Sequence, residues 1–266
     1  MPEGSKEKTR TIDDFAGLLE TLTARGYDYL VIGGIAVGSY ARLHGGEVLS
    51  ADLDLYSTYA TLDQILDWAP SQGIKVLKRP RPRSIPTAFL EWEGKEINIL
   101  TYSHGLPPPD VAARTARVFT LSKHGNLEVL LASPFDLLRN KLNVNRPKDQ
   151  PHIAVLKEFL EAEAVAGFEK ETSPRSRLDP ARQLLAATGS KTISEPLATR
   201  LLPLARLPSD LRFLGNTVPT RALAERVKLA AQNIEEPDRD EVMKIVERRR
   251  FHVTPPAKKR RARRAS

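Results

Sequence analysis

The spacing of apolar positions changes once along this chain. Up to residue 131, short apolar runs alternate with amphipathic stretches; from Ser133 onward the period is helical throughout. Thr11 can cap a helix whose Phe15, Leu18, Leu19 and Leu22 recur at i, i+3, i+4 and i+7, closed by Gly26. Asp28–Ile32 (DYLVI) reads as a short buried strand that runs into Gly33-Gly34, and Ile35–Leu43 suits a helix stopped by His44-Gly45-Gly46. Ala51–Ser57 (ADLDLYS) alternates acid and apolar residues, as a strand with one apolar face should. A helix is expected over Thr61–Ala69, then strands over Ile74–Lys78 and Ala88–Trp92 around the proline-broken RPRPRSIP. The turn Glu93-Gly94 leads to a strand over Glu96–Thr101, and Val118–Ser122 with Leu127–Leu131 form a further hairpin.

After Ser133 come SPFDLLRNKLNV and PHIAVLKEFLEAEAVAG, both helical in period. Residues 167–180 (GFEKETSPRSRLDP) are polar and hold prolines, the composition of a linker. Helical segments follow around Ala181–Ala187, Ser194–Leu204, Thr220–Ile234 and Arg239–Arg250, with Leu223, Val227, Ala230 and Ala231 forming an apolar stripe. The expected architecture is α/β (α+β): a small mixed sheet flanked by helices over residues 11–166, a linker at 167–180, and an all-α region at 181–250. Residues 251–266 are a basic tail, expected to be disordered.

Composition narrows the classes. There is no cysteine, which excludes disulfides and thiolate metal sites. No apolar run reaches the ~18 residues of a membrane span, and the opening MPEGSKEKTR is polar, so a cytoplasmic protein is expected. The net charge of +8 suggests a nucleic-acid partner until it is located: Lys258, Lys259, Arg260, Arg261, Arg263 and Arg264 supply six of those charges, leaving +2 for the rest. The tail is either a solvated end or a polyanion contact; a contact would make affinity fall steeply with salt. His44, His104, His124, His152 and His252 are scattered, with no i, i+4 pair of the zinc type.

The stretch richest in chemistry is VIGGIAVGSYARLHGGEVLSADLDLY. A strand ending in Gly33-Gly34 with a helix starting at once is either a tight turn or a place where phosphate approaches bare backbone at a helix N-terminus. Asp52 and Asp54 stand two apart on a strand and so share a face, while Leu53 and Leu55 point the other way. Such a pair is either a solvated strand face or two like charges waiting for a cation such as Mg²⁺.

Taken together, these residues resemble the nucleotidyltransferase superfamily of the DNA-polymerase-β type, and most of all its compact bacterial members, the AbiE-type nucleotidyltransferase toxins and their relatives. The resemblance is carried by Gly33, Gly34, Ser50, Asp52, Leu53 and Asp54, with Ala36 and Tyr40 in the helix between. It extends to LASPFDLLRNKLNVNRPKDQPHI, where Lys141 matches a phosphate-holding lysine and Asp149 the acid of the following turn. It implies the nucleotidyltransferase fold, Mg²⁺ on Asp52 and Asp54, and an NTP such as ATP bound by Gly33, Gly34, Ser39, Ser50 and Lys141. It also implies transfer of a nucleoside monophosphate to a hydroxyl of RNA, protein or a small molecule, with an antitoxin protein as partner if the chain is a toxin.

The sequence departs from that pattern in two places. Leu49 stands where many relatives carry arginine, and in KEINILTYS the position of a third catalytic carboxylate is Asn98. An amide oxygen can ligate Mg²⁺ but cannot take a proton from an attacking hydroxyl. Glu96 has the strand parity of Asn98 and either serves in its stead or is an exposed edge residue. The alternative to an enzyme is a non-catalytic nucleotide-binding or interaction module that lost its activity at Asn98.

Overall fold

The computed structural model describes residues 9–81, 85–170 and 173–251. The basic tail expected from 251 onward, and His252, therefore lie outside the described residues except for Phe251. The chain divides into two compact units: Met1–Ala166 with Asp179–Ser190, and Gly167–Leu178 with Lys191–Ser266.

The first unit is built on one sheet. Its strands are β1 (Tyr29–Ile32), β2 (Asp52–Ser57), β3 (Lys75–Lys78), β4 (Thr87–Trp92), β5 (Lys95–Leu100), β6 (Arg117–Leu121) and β7 (Leu127–Leu131), in the order β3-β4-β5-β2-β1-β7-β6. The sheet is mixed: β2 runs parallel to β5 and β1 to β7, and the remaining neighbours are antiparallel. Alternation decides which face each strand shows. Leu53, Leu55, Ile97 and Ile99 are buried in the core, so Asp52, Asp54, Glu96 and Asn98 share the opposite face.

Helices cover the sheet. A short 3-10 turn at Ile12–Phe15 leads into α1 (Ala16–Ala24), which buries Leu18, Leu19 and Leu22 as the periodicity predicts. The next helix, α2 (Gly33–Leu43), begins two residues earlier than predicted, at the glycine pair itself. The side-chain oxygen of Thr58 accepts from the Thr61 amide at the start of α3 (Tyr59–Trp68). The short α4 (Pro109–Ala112) follows the sheet's fifth strand, and α5 (Pro134–Val144) starts on the Ser133 cap and ends at Asn145 in the left-handed region. A 3-10 turn at Pro147–Asp149 then opens α6 (Gln150–Lys170).

The stretch expected to be a linker is helical on both sides of 171–172: α6 runs to Lys170 and α7 (Pro174–Thr188) begins almost at once. Phe168 and Leu178, buried at 0% and 2% exposure, give those helices an inner face despite the polar composition. The second unit holds α8 (Glu195–Leu201), α9 (Pro208–Thr217), α10 (Arg221–Ala231) and α11 (Asp238–Arg248), the last three packed on one another. Its centre holds a buried ion pair, with Arg177 Nη2 donating to Asp210 Oδ2 at 2.9 Å. Asp210 also accepts from the Arg206 and Leu207 amides at 3.0 and 3.1 Å, which satisfies the start of α9.

Candidate functional site

Two adjacent strands and one helix start build the site. Across the parallel pair, Asp52 lies opposite Glu96 and Asp54 opposite Asn98, so the four polar side chains stand on one face as two rungs. Across the antiparallel pair Asp54 faces Ile32, the last residue before the glycines. Asn98 is 8% exposed, and its Nδ2 donates to Asp52 Oδ2 and to Asp54 Oδ1, both at 2.9 Å. Ser50 Oγ donates to Asp52 Oδ1 at 3.0 Å. The two carboxylates are thus held within the reach of one amide.

The glycines are required by that proximity. Gly33 has φ +69°, and a Cβ there would lie 1.9 Å from Asp54 Oδ2. A Cβ on Gly34 would meet Ser50 Oγ at 2.5 Å. Any side chain at either position would displace the acids or the serine beside them. The first turn of α2 also has no side-chain cap, unlike α3 and α5. Its leading N–H groups and the positive end of its dipole therefore open directly beside Asp54 and Ser50.

Electrostatics mark Asp54. Burial pushes its carboxyl up, and the neighbouring Asp52 pushes it further; the Asn98 hydrogen bond and the charges of Lys141 and Arg146 pull it down, and the upward causes win. Lys141 lies on α5 within electrostatic reach of Asp54, but it is not free. It is buried at 4% exposure, with Nζ 3.2 Å from Asp149 Oδ1. Arg146 donates to the same carboxylate from Nε at 2.7 Å and from Nη2 at 3.1 Å. Burial alone would raise Asp149, yet the Arg146 and Lys141 bonds and charges outweigh it and hold the carboxyl well below its usual range.

Of the residues singled out in the sequence, the structure brings together Gly33, Gly34, Ser50, Asp52, Asp54 and Asn98, with Lys141 within electrostatic reach of Asp54. Glu96 is exposed and shares their face. Ser39 does not join them: it is buried in α2, and its hydroxyl donates to the Ile35 carbonyl at 2.9 Å. That back-bond occupies its proton with the helix's own carbonyl. Two residues beside the site had no role from the sequence: Arg146, and His152, which counted only as one of the scattered histidines. The ring of His152 approaches Gly34 with Cε1 3.5 Å from the position of an added Cβ.

No family model matches the chain, and no curated protein does. Solved structures similar to it include the lincomycin-bound lincosamide antibiotic adenylyltransferase LnuA, at 13% identity over 57% of this chain and 99% of that one, with a TM-score of 0.43. An antigenic nucleotidyltransferase-like protein from Paracoccidioides brasiliensis is 18% identical over 80% of this chain and 95% of its own, with a TM-score of 0.33. A tRNA nucleotidyltransferase complexed with a primer tRNA and an incoming ATP analog is 13% identical over 87% of this chain and 84% of its own, with a TM-score of 0.26. What stands in this chain is a seven-stranded mixed sheet flanked by helices, with the two acids and the glycine turn on it.

Proposed function

We propose that this chain transfers a nucleoside monophosphate from an NTP to an acceptor hydroxyl, releasing pyrophosphate, with Mg²⁺ held by Asp52 and Asp54. The observation that carries this reading is the contact between Gly33 and Asp54, 1.9 Å from an added Cβ to Oδ2. It puts an uncapped helix start, which attracts anions, against a pair of carboxylates, which attracts cations. An Mg²⁺-bound triphosphate needs both at once.

The donor set fits a hard cation. Asp52 and Asp54 offer carboxylate oxygens, and Asn98 Oδ1 is buried with no hydrogen-bond partner among the described residues. Rotation of that amide would present its oxygen to an ion between the acids. Among the described residues no three His, Asp or Glu side chains form a group that could hold a metal ion, so the other oxygens around the ion would come from this amide, water and phosphate. Bound there, Mg²⁺ would neutralise phosphate charge and acidify the attacking hydroxyl. The protein's own part is positional. The α2 amides would receive phosphate oxygens, Ser50 would fix the orientation of Asp52, and Lys141 with Arg146 would add positive charge. Glu96, exposed across from Asp52, is a further carboxylate on this face able to accept a proton.

One observation favours a second reading, a nucleotide-binding module without chemistry: the Asn98 amide already bridges both acids where a cation would sit. Incubation with each labelled NTP, Mg²⁺ and RNA, lysate protein or small hydroxylic acceptors separates the two. Transfer lost in Asp52→Ala and in Asp54→Ala supports the enzyme; NTP binding without transfer supports the module; neither binding nor transfer overturns both. The acceptor that takes label also tests the finer expectation of a toxin acting on RNA or protein and paired with an antitoxin.

A further inference from the structure

Asp149 is the most heavily shared charge beside the site. It has no exposed surface, and its two oxygens already accept from Lys141 and Arg146. A third basic group stands close without bonding: His152 Nδ1 lies 4.0 Å from Asp149 Oδ1 and is buried with no hydrogen-bond partner among the described residues. That gap is about 1 Å beyond hydrogen-bond range. The ring meanwhile flanks Gly34, with Cε1 3.5 Å from an added Cβ. His152 therefore stands between the turn assigned above to phosphate and the carboxylate that holds Lys141.

The geometry points to an exchange of cations on Asp149: a bound triphosphate draws Lys141 toward itself, and His152 takes a proton from solvent to replace the ammonium. The inference rests on the nucleotide reading of the site. Its physical basis is the cost of leaving Asp149 buried with part of its charge unmatched. The imidazole is the nearest group able to supply a new positive charge, and a small closure brings Nδ1–H into bonding range. The charged groups acting on the ring are Lys141 from α5, Asp149, and Arg146 and Lys148 from the turn before α6, and Gly34 of α2 flanks it. Burial first, then Lys141, hold the ring below its ordinary pKa, while Asp149 opposes them, so it is neutral in the free protein near pH 7. Withdrawal of Lys141 and arrival of phosphate charge both reverse that balance.

The consequence is proton-linked binding. The bound-state pKa of His152 lies above the free-state value, so the added affinity is present below the free-state pKa. It is lost as pH rises through the bound-state value. Affinity then changes by up to about tenfold per pH unit inside that window. This makes His152 a positioning residue for Lys141, which it releases from Asp149.

Calorimetric titration of each NTP with Mg²⁺ into the full-length protein, in buffers of different ionisation enthalpy between about pH 7 and 8, counts protons taken up as well as affinity. The expected result is uptake approaching one proton in the wild type and in His104→Gln, absent in His152→Gln. Binding with the same buffer dependence in wild type and His152→Gln overturns the exchange while leaving the nucleotide reading intact. Absence of any binding overturns both. Should His152→Gln not fold, imidazole NMR of the wild type replaces it. One ring with a depressed titration midpoint must move upward on nucleotide addition, and unmoved midpoints for all rings overturn the proposal.

Discussion

A methyl group at Gly33 tests the close approach on which the site depends. Gly33→Ala meets two separate costs. The backbone sits at φ +69°, and an alanine held there loses about 1–2 kcal/mol relative to glycine. The new Cβ also lies 1.9 Å from Asp54 Oδ2, 2.8 Å from its Cγ and 3.0 Å from its Cβ. The Asp54 side chain must therefore leave its rotamer, adding roughly 0.5–1.5 kcal/mol, and it must abandon the Asn98 bond. These two add to about 1.5–3.5 kcal/mol in the wild-type background, before the lost hydrogen bond. In an Asp54→Ala background the contacts to Oδ2 and Cγ vanish, and the cost should fall to the backbone part and the remaining 3.0 Å approach to the Cβ of residue 54. Urea denaturation of the four proteins in this double-mutant cycle measures the difference directly. Nucleotide affinity should be lost in Gly33→Ala whatever its stability. Equal costs of Gly33→Ala in both backgrounds would refute the proximity of the glycine turn to Asp54.

Two further predictions concern buried charge. Asn98→Asp puts a third carboxylate beside Asp52 and Asp54, where burial and then Asp52 already raise the Asp54 carboxyl. A carboxyl with a raised folded pKa loses stability as pH rises from its unfolded value through its folded one, so the Tm of metal-free Asn98→Asp should fall across that interval. Mg²⁺ should restore the Tm, and saturating Mg²⁺ and NTP should give a higher transfer rate than the wild type; a Tm indifferent to Mg²⁺ refutes a cation at this position. In the second unit, Arg177→Met strips Asp210 of its guanidinium and should cost about 3 kcal/mol, the lower end for an unpaired buried charge, since two backbone amides remain. Chemical denaturation checks it, and nucleotide affinity should stay unchanged.

Local pattern carried most of the first unit into view. Leu53 and Leu55 fixed which way Asp52 and Asp54 face, because a strand leaves only two choices, and Gly33-Gly34 marked the turn. What stayed hidden depends on partners far away in the chain. Ser39 entered through the family resemblance, and only the helix shows that its hydroxyl donates to the Ile35 carbonyl. Arg146 and His152 acquire meaning through Asp149 and Gly34, and no spacing rule predicts the contact with Gly34. The helix α9 was missed because PSDLRFLGNT mixes proline, glycine and charge, and its stabilising contact is the buried Asp210–Arg177 pair. The helices at 167–180 stayed hidden for a related reason: in a stretch rich in charge, Phe168 and Leu178 suffice to bury one side.

The division of the chain has a practical side. The first unit is not continuous in sequence: the chain leaves it after Ala166 and returns for Asp179–Ser190 before leaving again. Within the returning piece Ala181 and Leu184 are buried, at 0% and 6% exposure. A fragment that stops at 166 therefore cuts α6 short and discards part of its own core, though it keeps every residue of the site. Inactivity in such a fragment would reflect a missing piece of scaffold, and expression trials that aim to isolate the site should carry the chain through Ser190.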